Sequence, residues 1–156
     1  VALVGPYFFD TSVLLAGLID LGATARPAQR VFDAIADGRL SRPHTAWHCC
    51  LELYAVSTRL PEEFRLTPAD CWQLMEEEIL ARFDIHQLPK KAGKGFFQAA
   101  VADQMTGGRI YDAHIAEIAR LAGAGTVVTD NRRHFTPLLR HGIRVLSTEE
   151  FATGLV

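Results

Sequence analysis

The sequence reads as an α/β protein built on a mostly parallel sheet. Three observations predict this. Short apolar strands alternate with helical patterns from one end to the other, the grammar of a parallel sheet covered on both faces. Two of the strands, Tyr7-Phe8-Phe9 and Thr126-Val127-Val128-Thr129, share one design, because each stops on an aspartate, Asp10 or Asp130. The chain has 156 residues with 49% hydrophobic content, enough for one ordinary core, so residues 1–156 are expected to form one domain.

The first strand is three aromatics ending at Asp10, and Thr11 and Ser12 then suit the entry of a helix carrying Val13, Leu14, Leu15, Leu18 and Ile19. Leu21-Gly22-Ala23-Thr24 breaks the chain, and Pro27 fits the first turn of a second helix with Ala28, Val31 and Ile35 at helical spacing. Asp37-Gly38 ends it. Arg39-Leu40-Ser41-Arg42 reads as a very short strand before Pro43, and a helix is expected from Thr45 to Leu60. Thr67-Pro68-Ala69-Asp70 resembles a capping box and starts another helix, in which Glu76, Glu77 and Glu78 make a solvated face. Asp84 to Leu88 alternates as a strand, Ala92 to Met105 is helical, and Asp112 opens a helix that runs to Ala122. Phe135 to Arg140 makes a short helix, Arg144-Val145-Leu146 a last strand, and Thr148 to Ala152 a terminal turn.

Composition bounds the class of function. Sixteen basic and eighteen acidic side chains leave a net charge of -2, without the basic excess common in nucleic-acid binders. Committing four carboxylates to metal would leave 16 minus 14, or +2, so bulk charge is silent. Mean hydropathy is near zero and no apolar run approaches the ~20 residues of a membrane span. No basic and then apolar leader is visible, and Val1 in place of methionine suggests a trimmed start. Cys49, Cys50 and Cys71 include no CxxC pair, so a reducing, cytoplasmic setting fits best.

Four acids stand out. Asp10 and Asp130 end strands, where ligands of open α/β sheets bind. Asp112 stands at a helix start, whose amides favour negative charge. Glu52 interrupts an apolar helix, a costly place for a carboxylate unless it is paired or bound to a cation. Each has a bland account as a cap or a surface residue. Clustered together they would need a cation to stay ionised, and oxygen-only ligands suit Mg²⁺ or Mn²⁺. His44 and His48 are spaced i,i+4, but Thr45 stands where a zinc-protease helix needs its glutamate, so both are assigned structural roles. Lys90, Lys91 and Lys94, around Gly93 and Gly95, fit either a phosphate track or a solvated loop.

Phe9-Asp10-Thr11-Ser12-Val13-Leu14, Glu52-Leu53-Tyr54 with Arg59-Leu60-Pro61, Ile110-Tyr111-Asp112-Ala113-His114-Ile115 and Thr129-Asp130-Asn131-Arg132-Arg133-His134-Phe135 resemble, in order and spacing, the successive motifs of PIN-domain nucleases. Among these the chain most resembles the VapC-type toxins of toxin–antitoxin pairs. The resemblance implies a three-layer α/β/α domain with five parallel strands and metal-dependent cleavage of RNA. It places the acidic quartet on Asp10, Glu52, Asp112 and Asp130, with Asp10, Asp112 and Asp130 holding Mg²⁺ or Mn²⁺. Asn131 stands where many members carry another acid. Thr11, Thr129 and Asn131 would steady the carboxylates, and Arg42, Arg132 and Arg133 would contact the phosphates of a tRNA or ribosomal RNA loop. An antitoxin partner and a homodimer are implied as well, with Leu14, Leu18, Val31 and Phe32 of the first two helices offering the partner an apolar groove. Two rivals remain: a PIN fold that only docks a partner, and a haloacid-dehalogenase-like phosphohydrolase. The second wants an aspartate where Ser12 stands.

Overall fold

The computed structural model describes residues 3–155. Five parallel strands, β1 (Tyr7–Phe9), β2 (His44–Ala46), β3 (Asp84–His86), β4 (Thr126–Val128) and β5 (Arg144–Leu146), lie in the order β3-β2-β1-β4-β5. The register aligns Phe8 with His44 on one side and with Val127 on the other. Phe8, Phe9, Val127 and Val128 are fully or almost fully buried, as expected of central strands covered on both faces.

The helices α1 (Thr11–Leu18), α2 (Arg26–Ala36), α3 (Trp47–Ser57) and α4 (Pro68–Met75) lie on connections that step from β1 to β2 to β3. The connection through α5 (Gly93–Ala102) and α6 (Arg109–Leu121) steps back past β1 to β4. Right-handed crossovers in opposite directions put the two groups on opposite faces, which produces the three layers. The last helix, α7 (Thr148–Gly154), joins the first group by packing on α2. The direction of winding reverses between β1 and β4, so the crevice beyond their carboxyl ends is the topological switch point.

Local chemistry explains where the elements begin. Asp10 is itself the cap of α1, its side chain accepting from the Thr11 N–H at 2.7 Å. Thr67 caps α4 by accepting from Asp70 N–H, and Ser147 and Glu150 form a reciprocal capping box on α7. After α4 the chain runs on in one π-helical turn, Glu76–Leu80. The strand expected over residues 39–42 is absent. Arg42 has φ 50° and Leu40 N–H bonds back to Ala34 carbonyl, so the segment is a return from α2. The ladder starts only after Pro43, and Thr45, expected in a helix, is a buried strand residue whose hydroxyl donates to Phe9 carbonyl at 2.8 Å. The helix expected from Asp112 starts three residues earlier, at Arg109, which places Asp112 inside its first turn. The one expected over 92–105 stops at Ala102, and residues 136–141 form a 3₁₀ rather than an α-helix. No helix among the described residues is long and apolar enough to cross a membrane.

Candidate active site

Asp10 lies at the switch point, 4% exposed. Its backbone N–H continues the ladder to Val128 carbonyl at 3.1 Å, so the residue leaves β1 alongside the end of β4. One carboxylate oxygen accepts from Thr11 N–H, and the other accepts from the Thr129 hydroxyl at 2.7 Å and, more distantly, from Ser12 Oγ at 3.4 Å. Thr129 Oγ1 in turn accepts from Asn131 N–H at 3.0 Å, tying the loop after β4 to the same carboxylate. Burial drives the Asp10 carboxyl up to about 6 against the hydrogen bonds from Thr129 and Thr11, and the charges of Asp112 and Glu52 add to the rise.

Glu52 reaches the site from α3. Its Oε1 accepts from the Thr11 hydroxyl at 2.7 Å, and Oε2 faces His48 Nε2 at 3.9 Å, one helical turn away. His48 Nδ1 meets His114 Nδ1 of α6 at 2.7 Å, a contact that needs one proton between the two rings. This pair joins the helices that carry Glu52 and Asp112. Asp112 Oδ2 accepts from Asn131 Nδ2 at 3.0 Å and lies 2.5 Å from His134 Nδ1. In the sequence His134 stands only as a member of the motif from Thr129 to Phe135, without a role of its own. The clue was its place three residues after Asn131, which a 3₁₀ turn over Arg132–His134 converts into a shared contact on Asp112.

The structure thus brings Asp10, Glu52 and Asp112 into electrostatic contact, with Thr11, Thr129 and Asn131 holding them. Asp130 is turned elsewhere. Its Oδ1 accepts from Thr148 N–H at 3.0 Å and its Oδ2 from Thr148 Oγ1 at 2.9 Å, so both oxygens are used at the start of α7. Its N–H donates to Ser12 Oγ, which keeps its backbone at the site while its charge points away. Arg132 and Arg133 follow β4 in the 3₁₀ turn that ends at His134. Arg132 is paired with Glu150 of α7. Arg42 is not brought to this edge: it precedes β2, at the amino ends of the strands, where it binds Asp84 at 2.9 Å. The three cysteines are buried free thiols, and burial next to Asp10 pushes Cys49 far above its usual range, so they are packing groups. His44 stacks on His86 within the sheet, while His48 belongs to α3, so the two share no helix face.

Among the described residues, no three acidic, histidine or cysteine side chains stand together around one point as a ready metal cage. The chemistry of the group nevertheless fits a hard divalent cation. All its carboxylates are oxygen donors, and the burial of Asp10 beside Asp112 and Glu52 gathers negative charge in a poorly solvated place.

A family model described as the PIN domain matches residues 6–133. Ribonuclease VapC27 of Mycobacterium tuberculosis is 29% identical, over 69% of this chain and 88% of the relative. Among solved structures, Mycobacterium tuberculosis VapC20, described as a Sarcin-Ricin loop cleaving toxin, aligns with TM-score 0.59 at 14% identity, over 78% of this chain and 86% of that one. FitAB bound to a DNA fragment aligns with TM-score 0.61 at 15% identity, over 92% and 95% of the two chains. At such identities the structural likeness speaks for the fold.

Proposed function

The chain belongs to the PIN-domain family, and we propose that it is a Mg²⁺- or Mn²⁺-dependent endoribonuclease, the toxin of a toxin–antitoxin pair. The observation that carries this reading is the buried carboxylate Asp10 beside Asp112 and Glu52 at the switch point of the sheet. The relatives named as VapC ribonucleases support it.

In this reading Asp10 and Asp112 hold the metal, and Asp130, its oxygens engaged by Thr148, joins only through water. A divalent ion bound there lowers the pKa of water and neutralises charge developing on a phosphoryl oxygen. The chain's own groups do the positioning. Thr129 and the Thr11 N–H fix both oxygens of Asp10, so its charge is aimed before substrate arrives. The Thr11 hydroxyl occupies one oxygen of Glu52 and leaves the other to orient the attacking water and take its proton. Asn131 and His134 steady Asp112. Arg133, and Arg132 once released from Glu150, would contact substrate phosphates.

The substrate is a structured RNA such as a tRNA or ribosomal RNA, cut in a single-stranded loop, where unstacked bases are open to contact. A co-encoded antitoxin and self-association as a homodimer belong to the same reading. Of the residues expected to line a partner groove on the first two helices, Leu14, Val31 and Phe32 are buried in the core and Leu18 is half-buried. Exposed apolar side chains line α3 instead, where Trp47, Leu51 and Tyr54 recur at i, i+4 and i+7 beside Glu52. An amphipathic segment laid there would also cover the acids. Mapping new RNA 5′ ends after brief induction tests the reading: cuts confined to one or a few loops are expected, and an unchanged RNA population would defeat it.

A further inference from the structure

Beside the acidic site a groove of about 370 Å³ runs along the flank of α6. We propose that this groove seats the RNA strand adjoining the scissile phosphate, with phosphates on Arg109, Arg133 and Arg140 and one unstacked base against the floor at Phe96. The proposal rests on the ribonuclease reading above and adds where the substrate lies.

Charge is the first argument. Four arginines line the groove against two acids, Asp103 and Glu117, in a chain whose net charge is -2. Glu117 is already taken by Arg120 at 2.5 Å. Among the described residues Arg109 and Arg133 have no acidic partner, and the Arg140 guanidinium reaches only His141, at 3.5 Å. Elsewhere on the surface Arg39, Arg42, Arg82 and Arg132 are each held by an acid. Three unpaired forks gathered in one concavity therefore mark an anion site, since a guanidinium matches phosphate oxygens two at a time.

Continuity is the second argument. His134 lines the groove, and its Nδ1 is the atom that contacts Asp112 Oδ2 at 2.5 Å. Groove and acid cluster thus meet at one side chain. From Arg109 to Arg120 the wall follows eleven residues of helix, about 16 Å, a path rather than a point.

The floor is the third argument. Ala113 and Ala116 on α6 and Ala100 on α5 are small, and with Phe96 and Leu138 they make the apolar part of the groove's lining. An aromatic and apolar floor under a basic rim is what a single strand uses, stacking bases below while its phosphates follow the charge. A duplex keeps its bases stacked inside and would leave this floor empty.

The test is fluorescence anisotropy of a labelled single-stranded oligoribonucleotide with the full chain, in EDTA so that no cleavage intervenes. Arg109→Gln/Arg140→Gln, both exposed positions, should weaken binding at least about tenfold and flatten the slope of log affinity against log salt by about 1.4, roughly 0.7 per lost phosphate contact. Phe96→Ala should weaken single-strand binding about tenfold with the slope unchanged. Arg39→Gln, on the far side and paired with Asp37, should match the unmodified protein. Unaltered affinity and slope in the double variant overturn the groove, and so does stronger competition by polyglutamate than by RNA of equal charge. No RNA binding by the unmodified protein would instead overturn the ribonuclease reading, and the groove with it.

Discussion

Replacing Asp10 by asparagine should make the metal-free protein more stable, although it removes a residue at the heart of the site. The carboxyl rises from 3.8 to about 6 on folding, chiefly because burial penalises its charge. A folded state that holds its proton to higher pH gains stability that is complete below 3.8 and is lost as pH rises through about 6. At neutral pH the loss amounts to about 3 kcal/mol. Asparagine carries no charge to desolvate, so it recovers that energy. It keeps one acceptor for Thr11 N–H but gives up the second, which costs about 1 kcal/mol at Thr129. The net gain at neutral pH is about 2 kcal/mol, which moves the urea midpoint by roughly 1 M at an ordinary slope. Urea titrations in EDTA at neutral pH and near pH 4 check both sign and window. The gain should vanish or reverse in acid, where the native carboxyl is already protonated. Equal gains at both pH values, or a destabilised variant at neutral pH, would refute the charge-burial argument.

Three further outcomes follow from the same geometry. Thr129→Val removes the hydrogen bond that does most to hold the Asp10 carboxyl down. It should cost about 1–3 kcal/mol and move the Asp10 titration upward, read by carbon NMR of the carboxyl. Gly125→Ala should cost about 3 kcal/mol in urea, because a Cβ there would stand 2.5 Å from Gly5 carbonyl oxygen and 2.7 Å from that of Val4, and backbone cannot move aside as a side chain can. Arg133→Gln should weaken RNA binding and flatten its salt slope more than Arg132→Gln does, because Arg132 is already held by Glu150; equal effects would discount the pairing.

What the sequence made legible was local. The strands ending at Asp10 and Asp130, and Pro27 at the head of α2, announce themselves in a few adjacent residues, and the structure has both strands and the helix in place. Boundaries without a strong cap were misplaced: Gly108 offers α6 no side-chain cap, and Asp112 looked like the start because its charge suits a first turn. Arg42 fell on the wrong edge because the segment before Pro43 turns where an extended strand was expected. Asp130 shows the deeper limit. Its orientation is decided by Thr148, eighteen residues later, and no pattern around Asp130 contains that information. The same holds for His134 on Asp112 and for the His48–His114 pair, which exist only once α3, α6 and the loop after β4 have packed. Periodicity on α1 and α2 identified an apolar face but could not say whether core or partner covers it; the core does.

If the acids act on RNA through a divalent cation, removing either the cation or an acid must stop cleavage. The direct measurement is cleavage of a loop-containing RNA by the purified protein across a Mn²⁺ titration, with EDTA and with Asp112→Asn, the variant's fold verified by its urea curve. Cleavage that saturates with Mn²⁺, stops in EDTA and falls to background in the folded variant is the predicted result. Undiminished cleavage in EDTA, or by folded Asp112→Asn, would contradict it.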